Sequence, residues 1–236
     1  MNKGHLLLGL FKAVVLFSTL GVSMNACASG GASWKEEVLL HDGSKITVER
    51  SFNLGGYPTI DSRERQALDE TVTFALPGSG KKITWRTEFR DSVEEPNSLN
   101  LLILDIVSGI PYLASYPAGC IAYNKWKRPN PPYIFFKYVD NEWKRISLEE
   151  FPAKLSQTNV IVGRPPTELA KPFYTVEGVK ERNQGLQEQY LTILRTEIKS
   201  AGEGCPKLVR IKGGWASPDG AKSPIPIVPR NSDDKK

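Results

Sequence analysis

Runs of alternating apolar and polar residues, broken by turn-forming residues about every 8–12 positions, occupy most of the chain between residues 38 and 146. A period of two puts every second side chain on one face of a pleated strand, so the pattern predicts half-buried β-structure. Val38-Leu39-Leu40 runs into His41-Asp42-Gly43-Ser44, after which Lys45-Ile46-Thr47-Val48-Glu49-Arg50 alternates. Asp-Gly between two such runs predicts a hairpin whose central residues take positive φ. Thr71-Val72-Thr73-Phe74-Ala75-Leu76 and Lys82-Ile83-Thr84-Trp85-Arg86 flank Pro77-Gly78-Ser79-Gly80, a second hairpin. Residues 101–107 are nearly all apolar, which predicts a central strand buried on both faces. Further strands are expected at 112–116, 121–126, 133–139 and 142–146, with turns at Ser108-Gly109 and Asp140-Asn141.

The pattern changes after Pro165-Pro166. Across 176–199, Leu186, Tyr190, Ile193, Leu194 and Ile198 recur at intervals that share one face of a helix, and Gly202 and Gly204 follow as a stop. Residues 208–211 read as one more short strand, and beyond Ala216 four prolines in twelve residues predict a disordered tail. The expected fold is mainly β: an antiparallel sandwich, barrel or meander of about 8–10 strands with one C-terminal amphipathic helix. The expected organisation is a signal peptide at 1–28, an antiparallel β domain at 29–164, a helix and closing strand packed on that domain at 165–215, and the tail at 216–236.

The first residues carry a different pattern. Lys3 and Lys12 precede an uncharged stretch at 13–22, which leads to Met24-Asn25-Ala26-Cys27-Ala28. A basic start, a short apolar run and small residues at the end are the parts of a secretory signal. A spanning helix needs about 20 apolar residues, and Lys12 would have to sit in hydrocarbon to extend this one. The residues before Cys27 resemble the lipobox of bacterial lipoproteins: Ala26 fits, Met24 is an unusual apolar choice and Asn25 departs from the pattern. That resemblance implies a diacylglycerol on Cys27. With Ala28 rather than Asp after it, it also implies sorting to the outer membrane. Cleavage after Ala26-Cys27-Ala28, an A-x-A site, is the other reading.

Export changes how the cysteines are read. The chain has three. If lipid takes Cys27, Cys120 and Cys205 remain as a pair in an oxidising compartment, which predicts a disulfide. Net charge is +5, of which Lys3 and Lys12 supply two, leaving +3 for the remainder. Acids and bases are mixed along the chain, so the clustered basic footprint of nucleic-acid binding is missing.

Candidate chemistry is sparse. Pro77-Gly78-Ser79-Gly80-Lys81 lacks the spacing, the Ser/Thr and the following helix of a phosphate loop. It also lacks the spacing of a nucleophile elbow. His41 is the single histidine beyond the leader, and it is expected as an exposed turn residue. Glu36-Glu37, Glu94-Glu95 and Glu149-Glu150 are expected as solvated surface, since adjacent acids on a strand face opposite ways. No metal site and no cofactor are expected. Ten of the 22 aromatic residues fall between Tyr112 and Phe151. They fill a β core or present a ligand surface, for which Tyr123, Trp126, Tyr133, Tyr138 and Trp143 are the candidates.

The stretches Asn130-Pro131-Pro132-Tyr133-Ile134-Phe135-Phe136-Lys137-Tyr138 and Trp34-Lys35-Glu36-Glu37-Val38-Leu39-Leu40-His41-Asp42-Gly43 resemble uncharacterised exported proteins of Gram-negative bacteria with a lipoprotein-like signal peptide. The resemblance covers residues 34–150 and implies no activity and no site residues. The expectation is an exported envelope protein in the periplasm, anchored to the outer membrane through Cys27, that binds or scaffolds and is not an enzyme. Its expected partners are the membrane and an envelope protein or a glycan, with no nucleic acid. The alternative is a soluble periplasmic or secreted ligand-binding protein, or a hydrolase without a recognisable motif.

Overall fold

The computed structural model describes residues 31–55, 65–89, 97–211 and 214–218. Cys27 with the rest of the leader, Glu94-Glu95, and the tail beyond 218 lie outside the described residues. The structure is mainly β. Strands β1 (Gly31–Leu39), β2 (Lys45–Gly55), β3 (Gln66–Ala75) and β4 (Lys82–Glu88) form an antiparallel sheet, the first sheet. A two-residue strand, β9 (Phe173–Tyr174), is added parallel to β1 at its edge. Strands β5 (Leu99–Val107), β6 (Ile110–Pro117), β7 (Ile134–Val139) and β8 (Glu142–Ile146) form the second sheet, in that order.

Alternation puts Val38, Ile46, Val48, Val72, Phe74, Ile83 and Trp85 on one face of the first sheet. They share a core with Leu99, Leu101, Leu104, Ile106, Leu113, Ile134 and Phe136 of the second. The second sheet is buried on its other face too, by Phe151, Leu155 and Ile193 from the chain that follows it. That explains the continuous apolar run of β5. The register shift between Leu101 and Ile103 accommodates an extra residue, so Leu102 and Ile103 join the outer cluster while Leu101 and Leu104 face the shared core. Against expectation, β5 is an edge strand of its sheet rather than a central one.

Side chains stitch the sheet edges together, one way of covering an edge that would otherwise invite pairing. Asn159 donates to Leu39 O of β1 and Leu104 O of β5, at 3.1 and 2.9 Å, and accepts from Leu104 N at 3.1 Å. Nearby, His41 in the β1–β2 turn pairs with Asp105 of β5. On the opposite edge, the Trp143 indole of β8 donates to Thr84 O of β4 at 2.9 Å, and the Lys81 ammonium reaches Asn141 and the face of Tyr138.

Turn chemistry follows the sequence at three of four hairpins. Ser108-Gly109 and Asp140-Asn141 both take positive φ, giving two-residue turns, and Gly78 and Gly80 do so between β3 and β4. In the Asp42-Gly43 loop only Gly43 is left-handed, at φ 85°. Gly43 N bonds Leu40 O and Leu40 N bonds Ser44 O, so the loop is longer than the expected two residues.

Two element expectations fail. Residues 121–126 are helical: α1 (Cys120–Lys125) buries Ala122, Tyr123 and Asn124. Asn124 holds it against the C-terminal chain, donating to Cys120 O and Pro206 O and accepting from Leu208 N. The long helix over 176–199 is two short ones, α2 (Val176–Asn183) and α3 (Glu188–Leu191), interrupted by Gly185 at φ 83°. Beyond α3 the backbone pairs sideways instead: Thr158 N bonds Leu191 O, Ile193 N bonds Ser156 O, and Gln157 bridges Thr192. Extended pairing turns Ile193 and Leu194 onto the second sheet, so their helical spacing serves a packing role without a helix. Among the described residues, strand β10 (Val209–Ile211) pairs only with β11 (Gly214–Ala216), antiparallel and apart from the two larger sheets. The β-structure therefore reaches Ala216, where the tail was expected to start.

Candidate functional site

An apolar cavity lies beside β1, where its partner strand stops. Strand β9 pairs only with Lys35 and Glu36, and then the chain turns into α2. Thr175 caps that helix, its Oγ1 accepting from Gly178 N at 3.3 Å. Glu37 of β1 accepts from Val176 N at 3.2 Å, which pins the first turn of α2 against the strand. At the far end, Asn183 accepts from Val162 N and donates to Val160 O at 3.1 and 2.8 Å. Between β1, α2 and the 157–159 segment a cavity of about 490 Å³ remains.

Leu39, Val176, Val179 and Leu191 make its walls apolar. Gln157, Thr158, Asn159 and Asn183 line the rest, and the last two are committed to backbone groups that hold the walls in place. Lys180 on the exposed side of α2 supplies the cation at the rim. A volume of this size with apolar walls and a few polar groups is the usual form of a small-ligand site. The lining suits an apolar body with an anionic head.

The titratable residues that the fold brings together are elsewhere. His41 Nδ1 lies 2.7 Å from Asp105 Oδ1, and the His41 amide donates to Asp105 Oδ2 at 2.9 Å. Asp105 Oδ1 also accepts from Ile106 N, so both carboxylate oxygens are engaged. His41 is an exposed turn residue as expected, but its imidazole is only 19% exposed. Glu36, expected at the surface, is fully buried; Glu37 beside it is half-buried, and Glu149 and Glu150 are exposed. Glu36 faces inward because it shares the alternation of Trp34 and Val38.

Glu36 meets Arg50 of β2 and Glu70 of β3 inside the protein. Arg50 Nε donates to Glu70 Oε1 at 2.7 Å and Nη1 to Glu36 Oε1 at 3.3 Å, and the guanidinium also bonds Ile161 O. Trp34 donates its indole N–H to Glu36 at 2.8 Å and lies under the guanidinium, 5.0 Å from ring centre to Cζ. Burial holds the Glu70 carboxyl above the usual carboxylate range, against the pull of Arg50, and its Oε2 has no partner. Burial works against the Arg50 charge too, but Glu70 and Glu36 outweigh it and its pKa is raised. One cation thus sits between two carboxyls inside the protein.

The candidate aromatic residues are dispersed. Tyr123 and Tyr133 are buried, Tyr133 donating to Gln189 O at 2.9 Å. Burial raises the Tyr133 pKa. Trp126, Tyr138 and Trp143 are half-buried against the shared core. Lys125 and Arg145 lie over the Trp126 ring, and Arg128 over Tyr123. None of the five lines the cavity beside β1. Cys120 and Cys205 form a disulfide with Cα atoms 5.2 Å apart, tying α1 to the C-terminal chain. A second cavity of about 470 Å³, more polar, borders that bridge between Tyr116, Gln189 and Glu203. No group of three or more His, Cys, Asp or Glu among the described residues is placed to hold a metal, and none of their helices is long and apolar enough to cross a membrane.

Sequence reasoning missed the cavity and Asn159, whose roles depend on contacts far apart in the chain. It could have found Glu36, since an acid in register with buried Trp34 and Val38 is visible in the alternation. Compared with protein-family models, curated proteins and solved structures, the chain finds no match in any of the three.

Proposed function

We propose that this is an exported envelope protein, anchored by lipid at Cys27, that binds a small amphiphile in the cavity beside β1 and does so without catalysis. The observation that carries the reading is the 490 Å³ cavity with apolar walls and Lys180 at its rim. Export rests on the leader, and the Cys120–Cys205 disulfide fits the oxidising compartment that export implies. The concavity between β1, α2 and the 157–159 segment is the pre-formed kind that ligand binding uses, whereas both oxygens of Asp105 are already engaged and the Glu36–Arg50–Glu70 group is buried. A soluble periplasmic binder is the second reading, favoured by Asn25 in the tripeptide before Cys27.

Two experiments test this. Detergent-phase partitioning of the full chain against Cys27→Ser tests the anchor; equal partitioning refutes it. Calorimetric titration with decanoate and with the neutral amphiphile octyl glucoside tests the cavity. Val179→Trp, which adds bulk to one wall, weakens binding of both in protein whose urea midpoint shows it folded. Lys180→Gln weakens decanoate by about two- to fivefold, the worth of an exposed ion pair, and leaves octyl glucoside alone. Undiminished binding in Val179→Trp refutes the site.

A further inference from the structure

Large apolar side chains are exposed at four described positions: Leu169, Phe173, Val209 and Ile211, at 43–58%. Val209 and Ile211 belong to the separate β10–β11 sheet. Leu169 and Phe173 lie beside the first half of β1. Phe173 is paired with Lys35 of β1, whose amide bonds Pro172 O at 2.9 Å. Because β9 runs parallel to β1, the residues before Phe173 lie toward the start of β1. The 3-10 turn Thr167–Leu169 is held there by the Tyr174 hydroxyl, which donates to Leu169 O and accepts from Lys171 N. Tyr174 in turn packs with Trp34 and Phe52.

We propose that this edge, Leu169 and Phe173 with Lys35 and Lys171 beside them, rests on the surface of the bilayer in the anchored protein. The inference depends on acylation of Cys27. Three residues separate Cys27 from Gly31, the start of β1. Four extended residues span at most about 14 Å, so an acyl chain at Cys27 holds the start of β1 within that distance of the lipid. A short tether raises the effective concentration of any nearby apolar group at the surface, so a patch too small to bind alone stays engaged. Lys35 and Lys171 are exposed and can keep their charge at headgroup level, while Glu49 and Glu168 offset them. The contact is therefore chiefly apolar and depends little on anionic lipid.

The test is hydrogen exchange of the full chain, with acylation verified by mass, in phosphatidylethanolamine/phosphatidylglycerol vesicles. Cys27→Ser with the same vesicles is the comparison. Amides of residues 168–171 and 173 slow at least tenfold in the acylated protein only, and the turn at 42–44 is unchanged. Leu169→Ser/Phe173→Ser, at two exposed positions, stays membrane-bound but loses the protection. An acylated, vesicle-bound protein with unprotected 168–173 overturns the inference and leaves the anchor standing. A chain without acyl mass, or one that does not sediment with vesicles, overturns both. Protection that grows with protein density at fixed lipid points to a second copy and overturns the inference.

Discussion

Replacing Arg50 with Met should show what the buried polar group is worth and why. The guanidinium holds Glu70 through its Nε, Glu36 through Nη1, and the Ile161 carbonyl. Without it, Glu36 keeps the Trp34 indole and the Ile161 amide as donors, but Glu70 loses every partner it has. Removing one side of a fully buried ion group costs about 3–5 kcal/mol, because the remaining charge is stranded. Against a typical total of about 5–15 kcal/mol, that is a large loss, equivalent to roughly 6–20 °C in Tm. The pH dependence identifies the cause. Glu70 already has a raised pKa in the folded protein, so its contribution is complete below the unfolded value of about 4.3 and is lost as pH rises through the folded one. Loss of Arg50 removes the charge that pulled this pKa down, so the folded value rises further. Urea unfolding with the disulfide intact, followed by tryptophan fluorescence, should show Arg50→Met approaching wild type near pH 4.5. The gap should widen toward pH 8, by at most about 1.4 kcal/mol per pH unit for the Glu70 carboxyl. Glu36→Leu/Arg50→Met/Glu70→Leu, which leaves no charge, should recover most of the loss. A gap that stays constant from pH 4.5 to 8.5 would show that the cost is packing against Trp34 and would refute the stranded-charge account.

Other contacts make separate predictions. Opening the Cys120–Cys205 bridge, whose residues are 85 apart, should cost about 4–5 kcal/mol in the chain-entropy model, read by urea unfolding of Cys120→Ser/Cys205→Ser. Gly202→Ala places a Cβ inside the edge of the Tyr123 ring at a backbone φ of 71°, and should cost about 2–4 kcal/mol. An unchanged midpoint would show that the 202–205 turn gives way freely. Asp105→Asn replaces one of two engaged carboxylate acceptors with a donor and should cost about 1–3 kcal/mol. A double-mutant cycle with His41→Ala should return a coupling of at least about 0.5 kcal/mol, and additive losses would deny that the imidazole contributes to this contact between the sheets.

Local patterns carried the strands, and distant contacts carried most of what the sequence did not show. Val72, Phe74, Ile83 and Trp85 reach the core because a period of two is a property of the strand itself. Residues 176–199 show the limit of that reasoning. Tyr190, Ile193 and Leu194 have helical spacing, but Gly185 interrupts the helix and Ser156 and Thr158 offer the backbone a better partner. Nothing within those residues announces that 156–158 will lie beside them. The two cysteines were legible as a pair because an export signal read from the leader implies an oxidising compartment, and lipid on Cys27 would leave an even count. The cavity was not, since Leu39, Asn159, Val179 and Leu191 meet only after both sheets and α2 are assembled. Aromatic density between Tyr112 and Phe151 was visible, but whether rings fill a core or line a surface depends on which face is covered. Here Phe135, Phe136 and Phe151 are packed inside.

The cavity and the exposed edge share one short stretch of chain. Phe173 precedes Val176 by three residues, and Thr175 between them caps the helix whose Val176 and Val179 line the cavity. Three extended residues span about 10 Å, so an edge resting on lipid would put Val176, on the cavity wall, within about that distance of the headgroups. An amphiphile whose apolar body partitions into the bilayer then reaches Leu39 and Val179 with a short passage through water. Loading from the membrane should accordingly depend on the anchor, whereas affinity in free solution should not. Vesicles doped with a fluorescent decanoate analogue should load the acylated chain at least several times faster than Cys27→Ser at equal protein and lipid. The two proteins should match when the same analogue is presented below its micellar concentration without vesicles. Equal loading rates from vesicles would separate the cavity from the membrane and leave lipid anchoring as a matter of location alone.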